Sequence, residues 1–233
     1  PTHCPYTTLF RSASVLGEVV PGTTVDRQCG SGQQAIHFAA QGVLSGTQDL
    51  VIAGGVESMS QVPIGASIID GVKADHGMPY GQKITERYPG VQFNQFTGAE
   101  MLVEKYELSS QELNEFALAS HMKAKQAIEE GRFEKEIVAI EVELEDGSLA
   151  MHTQDEGVRL DATLGAISGL QPMAEGGVLT AANASQICDG AAAVMIANGE
   201  TCKRLGLKPL ARITAMSVIG SDPVIMLEGP IPA

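Results

Sequence analysis

Between Thr23 and Gly55 the chain changes register three times in a way that few folds accommodate. Thr23–Gln28 reads as a short extended run that ends on Cys29. Gly30-Ser31-Gly32 then opens a helical pattern that continues to about Leu44, where Ser45-Gly46 supplies a stop signal. That helix carries Ala35, Ile36, Phe38, Ala39, Ala40, Val43 and Leu44, so it is apolar on nearly every face and is expected to be buried. Asp49–Gly55 (DLVIAGG) follows as a continuous apolar run closed by glycines, the pattern of a central parallel strand. Strand, buried helix and strand in this order predict a right-handed βαβ unit, hence an α/β fold.

The texture changes at about Ser60. Residues 60–100 carry Pro63, Pro79, Pro89 and scattered glycines and read as loop. Ser109-Ser110-Gln111-Glu112 is a capping box that predicts a helix extending to Gly131, with Leu113, Phe116, Ala117, Ala124, Ala127 and Ile128 at helical spacing. Glu136–Leu144 alternates apolar and acidic residues and predicts a half-exposed strand turned at Asp146-Gly147. Gly190–Ala197 (GAAAVMIA) predicts another buried strand, Glu200–Leu205 a short helix, and Leu210–Ile219 a further strand. Residues 100–156 hold 15 Asp and Glu against 5 Lys and Arg, which marks this stretch as a solvated subregion set into the apolar frame.

Charge and cysteine usage narrow the function classes. With 15 basic and 28 acidic residues the net charge is −13, which disfavours nucleic acid and anionic membrane as partners. No apolar run approaches the roughly 18 residues of a membrane span, and no secretory signal pattern is visible. Cys4, Cys29, Cys188 and Cys202 form no CxxC pair and have no histidine at ligand spacing, so neither a disulfide framework nor a metal site is expected. The expectation is a reduced, cytoplasmic protein. Pro5–Ser12 (PYTTLFRS) matches a translated sequencing-adapter oligonucleotide; residues 1–12 are therefore read as non-native and left out of fold reasoning.

Cys29 is the residue with the most chemical potential. At the N-terminus of a helix, unpaired N–H groups and the helix dipole favour an anion, and a thiolate is the nucleophilic form of cysteine. Gly30 and Gly32 are expected to let the backbone turn sharply and a bulky substrate approach the sulfur, as in the strand–turn–helix elbow of hydrolases. The alternative from position alone is a small buried side chain that fills core space, and spacing does not decide between them.

Three segments in order, Val25–Gln34 (VDRQCGSGQQ), Ile52–Ser60 (IAGGVESMS) and Leu179–Ala192 (LTAANASQICDGAA), resemble the thiolase family, as does Leu102–Phe133 with a helix of that family's loop domain. The resemblance covers the chain from Ala13 onward. It implies a thiolase fold: an N-terminal βαβαβαββ half, itself incomplete at its start, with an inserted loop domain and the beginning of a C-terminal half. The expected division is 13–59 for the first part of the N-terminal core, 60–185 for the loop domain, 186–206 for the second part of the core, and 207–233 for a truncated C-terminal half. It implies acyl transfer between coenzyme A thioesters, with coenzyme A and acyl-CoA as substrates, no covalently bound cofactor, and a homodimer or homotetramer for the full-length protein. By the same resemblance Cys29 is the nucleophile that becomes the acyl-enzyme, and its backbone N–H belongs to an oxyanion hole. Ser185 matches the residue that contacts the pantetheine arm, the alternative being a turn-capping hydroxyl. Arg159 matches an arginine beside the coenzyme A nucleotide once two residues are deleted between Pro172 and Val178, the alternative being an exposed arginine in a solvated loop. Glu57 is read as support for the helix after Cys29.

Two departures qualify the match. The family's loop often carries His-Met before Gly-x-x-Ala-Glu, where this chain has Asn94-Gln95 followed by Phe96, which alters the acyl pocket. The Gly-His-Pro, Asn-Glu-Ala-Phe-type and second-cysteine motifs of the family have no counterpart here. His37 is read as a packing residue, Cys188 as core and Cys202 as a helix residue. The fragment alone is thus expected to show little or no turnover. The competing readings are a non-catalytic acyl-CoA-binding fragment and a decarboxylating ketoacyl synthase of the same superfamily.

Overall fold

The apolar run after Asp49 does form a strand, but its partner runs the other way. In the computed structural model, which describes residues 19–233, β1 (Leu50–Glu57) pairs antiparallel with β4 (Gly190–Ala197), from Leu50 opposite Ala197 to Glu57 opposite Gly190. The expected parallel pairing is therefore corrected. An apolar run reports what both faces of a strand are suited to bury, and carries no information on the direction of its neighbour. The two ends of this ladder are tied by side chains. Asn198 Nδ2 donates to Asp49 Oδ1 at 2.8 Å, and Asp189 accepts from Ser60 N at 2.9 Å and Ser58 Oγ at 3.2 Å.

The helix α1 (Ser31–Leu44) lies against β1 and β4. It ends as expected, with Ser45 N donating to Gln41 O and Gly46 in the left-handed region at φ 74°. Only one stripe is covered: His37, Ala39 and Ala40 are buried, while Phe38 is 52% and Leu44 72% exposed. The expectation of an all-round buried helix fails because a two-stranded sheet offers a single face among the described residues. Residues 21–27 form no strand, so the first arm of the predicted βαβ unit is absent from the described residues. Leu210–Ile219 likewise takes no regular structure. An extended segment becomes a strand only where another backbone takes up its N–H and C=O groups.

The chain divides into two compact units. One comprises 19–61 of the described residues with Asp189–Ser217; the other comprises Val62–Cys188 with Val218–Ala233. The first unit holds α1, β1, β4 and, after them, α7 (Gly199–Leu205), capped by Asn198 and ended by Gly206 at φ 64°.

The regular structure of the second unit is mostly helical. The proline-bearing stretch read as loop contains α2 (Ala66–Lys73), α3 (Gln82–Arg87) and α4 (Gln95–Lys105). Asn94 caps α4, its Oδ1 accepting from Phe96 N at 2.8 Å and Thr97 N at 3.4 Å. The prolines lie before or between these short helices, where they break no ladder, which is why their presence did not exclude helix. α5 (Ser110–Glu129) starts with the predicted capping box: Ser109 Oγ accepts from Glu112 N, and Glu112 Oε2 accepts from Ser109 N at 2.8 Å. That backbone N–H, followed by the Ser109 hydroxyl, holds the Glu112 carboxyl below its ordinary value. α5 packs against α6 (Leu164–Ser168) through a stripe that buries Asn114 and Ala117 and leaves Phe116 77% exposed. The predicted hairpin is present in shorter form, β2 (Ile140–Glu143) with β3 (Leu149–His152), turned by Gly147 at φ 80°.

Candidate active site

Cys29 occupies a single 3-10 turn, Gln28–Gly30, that leads into α1, and its side chain is exposed. Asp26 Oδ1 accepts from Gln28 N at 3.0 Å, and Gly30 N donates to Arg27 O at 3.1 Å. Ser31 Oγ accepts from Arg27 N at 2.8 Å and donates to Gln28 O at 2.6 Å. The Arg27 guanidinium donates to Gln34 Oε1 at 2.6 Å, one turn into the helix. The residues on either side of Cys29 are therefore fixed by a local hydrogen-bond network.

The sharp turn is made by Gln28, not by the glycines. Gln28 has φ 49°, a left-handed conformation that costs a non-glycine residue about 1–2 kcal/mol. Gly30 has φ −86° and Gly32 lies within the helix, so neither needs glycine for its dihedrals. A Cβ on Gly32 would meet nothing within 4 Å, whereas one on Gly30 would touch only the Arg27 side chain at 3.7 Å. The expected role of these glycines in turning the chain is corrected; open space at the helix start is what remains of it. Glu57, at the end of β1, is exposed.

Ser185 and Arg159 belong to the second unit. Ser185 is exposed at the end of a turn whose closing groups are other residues. Asn183 Oδ1 accepts from Thr180 N at 2.8 Å, Thr180 Oγ1 accepts from Ala182 N at 3.3 Å, and Ala184 N donates to Thr180 O at 3.1 Å. Thr180 and Asn183 thus cap the turn, and Ser185 follows it as an exposed residue. Arg159 is also exposed, its backbone N donating to His121 Nδ1 at 3.2 Å. The Gln186 side-chain amide donates to Gly157 O, so the strands of loop that carry Arg159 and Ser185 are brought together. Cys188, read from sequence as core, is exposed, with its thiol 3.8 Å from Gln186 Oε1; a loop position without a sheet above it gives no burial. Cys202 lies in α7 as expected.

Two carboxylates that sequence reasoning assigned no role tie backbone segments together. Asp189 ties the residues after β1 to the start of β4, and the Ser60 hydroxyl bonded to it holds its carboxyl below the ordinary value. Glu100, in α4, accepts from the backbone of Val178 and Leu179. The Ala99-Glu100 pair ends the Gly-x-x-Ala-Glu pattern, which was the only signal for it in the sequence. Among the described residues no cluster of three or more His, Cys, Asp or Glu side chains is placed to hold a metal ion, and no helix is long and apolar enough to cross a membrane.

Comparison with known proteins identifies the family. The family described as thiolase, N-terminal domain, matches residues 6–200. The steroid 3-ketoacyl-CoA thiolase FadA6 of Mycobacterium tuberculosis is 47% identical over 218 residues, covering 93% of this chain and 52% of that protein. A 3-ketoacyl-CoA thiolase of Idiomarina loihiensis is 37% identical over 92% of this chain and 53% of its own length. Among solved structures, the Bacillus anthracis acetyl-CoA acetyltransferase superposes with a TM-score of 0.75 at 37% identity, covering 93% of this chain and 56% of that one. Human mitochondrial 3-ketoacyl-CoA thiolase gives 0.76 at 32% identity, covering 91% and 55%. The chain spans about half the length of the curated relatives it matches. With a family match over most of its residues and the N-terminal half of the thiolase α/β fold, this chain belongs to the thiolase family.

Proposed function

We propose that the whole protein to which this chain contributes is an acyltransferase that works through a Cys29 thioester. In the cleavage direction Cys29 Sγ attacks the 3-keto carbon of a 3-ketoacyl-CoA. The bond to the adjacent carbon breaks, that carbon takes up a proton, and acetyl-CoA leaves. The thiol of free coenzyme A then attacks the acyl-enzyme, releasing the shortened acyl-CoA and returning the thiol. The Cys29 backbone N–H is proposed to help stabilise the developing oxyanion. The observation that carries the reading is an exposed cysteine held in a tied 3-10 turn at the head of α1, in a chain of this family. Ser185 and Arg159 are proposed to contact the pantetheine arm and the nucleotide of coenzyme A; their exposure on joined loops supports this.

A 3-ketoacyl-CoA substrate and a degradative direction, in fatty-acid or other lipid breakdown, are supported by the names of the relatives. The compact unit built from Val62–Cys188 and Val218–Ala233 supports reading residues 60–185 as an inserted domain. A homodimer or homotetramer in the cytoplasm completes the proposal. The groups that activate Cys29 and move the α-proton are assigned to the remainder of the whole protein, since the chain covers about half of its relatives.

The test is mass spectrometry of the whole protein after exposure to acetyl-CoA. One acetyl group is expected on the peptide that contains Cys29, with none in Cys29→Ser, and thiolysis is expected to fall by several orders of magnitude in that variant. Full activity in Cys29→Ser would overturn the reading.

A further inference from the structure

Within the second unit, Glu100 reaches from α4 into the loop that precedes Ser185. Its Oε1 accepts from Val178 N at 3.0 Å and from Leu179 N at 3.0 Å, and its Oε2 lies 3.3 Å from Val178 N. The loop it meets is already folded back on itself: Met173 N donates to Leu179 O at 2.8 Å and Gly177 N to Ala174 O at 3.1 Å. Beyond Leu179 the chain enters the Thr180–Asn183 turn, with Asn183 Nδ2 donating back to Val178 O at 3.3 Å. The carboxylate thus fixes two consecutive amides, and the second of them abuts the turn that presents Ser185.

A second observation concerns how closely the loop approaches this carboxylate. A Cβ built on Gly177 would stand 2.5 Å from Glu100 Oε1 and 3.2 Å from its Cδ. Gly177 is not among the residues with positive φ, so its dihedrals do not demand glycine. A side chain there would meet the Glu100 carboxylate first, and would have to turn it aside, with Ala174 O next at 3.3 Å. Leu179 is buried and Val178 half-buried, which limits the access of water to these amides in place of the carboxylate.

We propose that Glu100 is a positioning residue for coenzyme A binding: through the amides of Val178 and Leu179 it sets the path of residues 178–185 and hence the placement of Ser185. The proposal rests on the reading of Ser185 as a pantetheine contact. It does not make Glu100 a group that touches substrate.

Hydrogen exchange on the 233-residue chain tests the structural step directly. In Glu100→Ala, exchange at the amides of Val178 and Leu179 is expected to quicken by about tenfold or more, with partial protection in Glu100→Gln, which retains one acceptor oxygen. Unchanged exchange in Glu100→Ala overturns the proposal. Gly177→Ala displaces the carboxylate by an independent route and should quicken the same amides in the parent chain. It should add almost nothing in the Glu100→Ala background, where no carboxylate is left to displace. Full additivity in that cycle also overturns it. In the whole enzyme, Glu100→Ala is expected to raise KM for coenzyme A by about tenfold while kcat stays within about twofold, with part of the loss recovered in Glu100→Gln. Ser185→Ala separates the two claims. If it leaves KM unchanged the reading of Ser185 fails, whereas the exchange experiment still decides whether Glu100 holds the loop.

Discussion

Gly98 provides a test of tertiary packing in which two known effects have opposite signs. It lies in α4 and is buried, and a Cβ added there would strike the carbonyl oxygen of Ile225 and come within 3.2 Å of its carbonyl carbon. In a helix interior, replacing glycine by alanine ordinarily stabilises by about 0.5–1 kcal/mol through reduced backbone entropy. At Gly98 the obstacle is backbone, which cannot rotate away as a side-chain tip can, and such overpacking costs about 1–3 kcal/mol. Gly71 in α2 supplies the control, because a Cβ there meets nothing within 4 Å. The propensity gain is common to both substitutions, so the difference between them isolates the clash. Gly98→Ala is therefore expected to be less stable than Gly71→Ala by about 1–3 kcal/mol. For a chain of this length that separates their Tm values by about 2–4 °C per kcal/mol. Thermal melts and urea titrations of the two variants and the parent measure it. If Gly98→Ala stabilises as much as Gly71→Ala, the segment containing Ile225 does not rest on α4 in solution and the reasoning is refuted.

Two further outcomes follow from the hydrogen-bond networks. Asp189→Ala should lower thermal stability at neutral pH, and the deficit should shrink as the pH falls. The folded-state pKa of Asp189 lies below its unfolded value, so its contribution is present above about pH 4 and disappears as pH drops through the folded value; a pH-independent deficit would contradict this. Ser109→Ala removes the acceptor for Glu112 N and should cost about 1 kcal/mol, read as an earlier loss of helical circular dichroism, with Ser109→Asn retaining most of the stability.

Local chemistry was legible in the sequence at several places where a residue acts on its immediate neighbours. The Ser109–Glu112 box, the Asp146-Gly147 turn, the stop at Ser45-Gly46 and the extent of α1 all depend on contacts within a few residues, and all are present in the structure. The prominence of Cys29 was legible too, because a cysteine before a glycine-flanked helix start is a local pattern. Less was legible where an element needs a distant partner. The direction of β4 beside β1, the missing strands at 23–28 and 210–219, and the exposure of Phe38, Phe116 and Cys188 depend on what lies across from them.

The sequence by itself determined α1, α5, α7, the tight turns and the identity of the family, since three ordered motifs and the capping residues are written in adjacent positions. Only the tertiary structure decided that Gln28, not the flanking glycines, takes the left-handed bend before Cys29. It alone placed Glu100 on the amides of Val178 and Leu179, and Asp189 across from Ser58 and Ser60. The physical reason is the same in each case. A side chain that satisfies a backbone group 78 or 129 residues away leaves no periodic trace in the chain, because the pairing is set by how the elements pack.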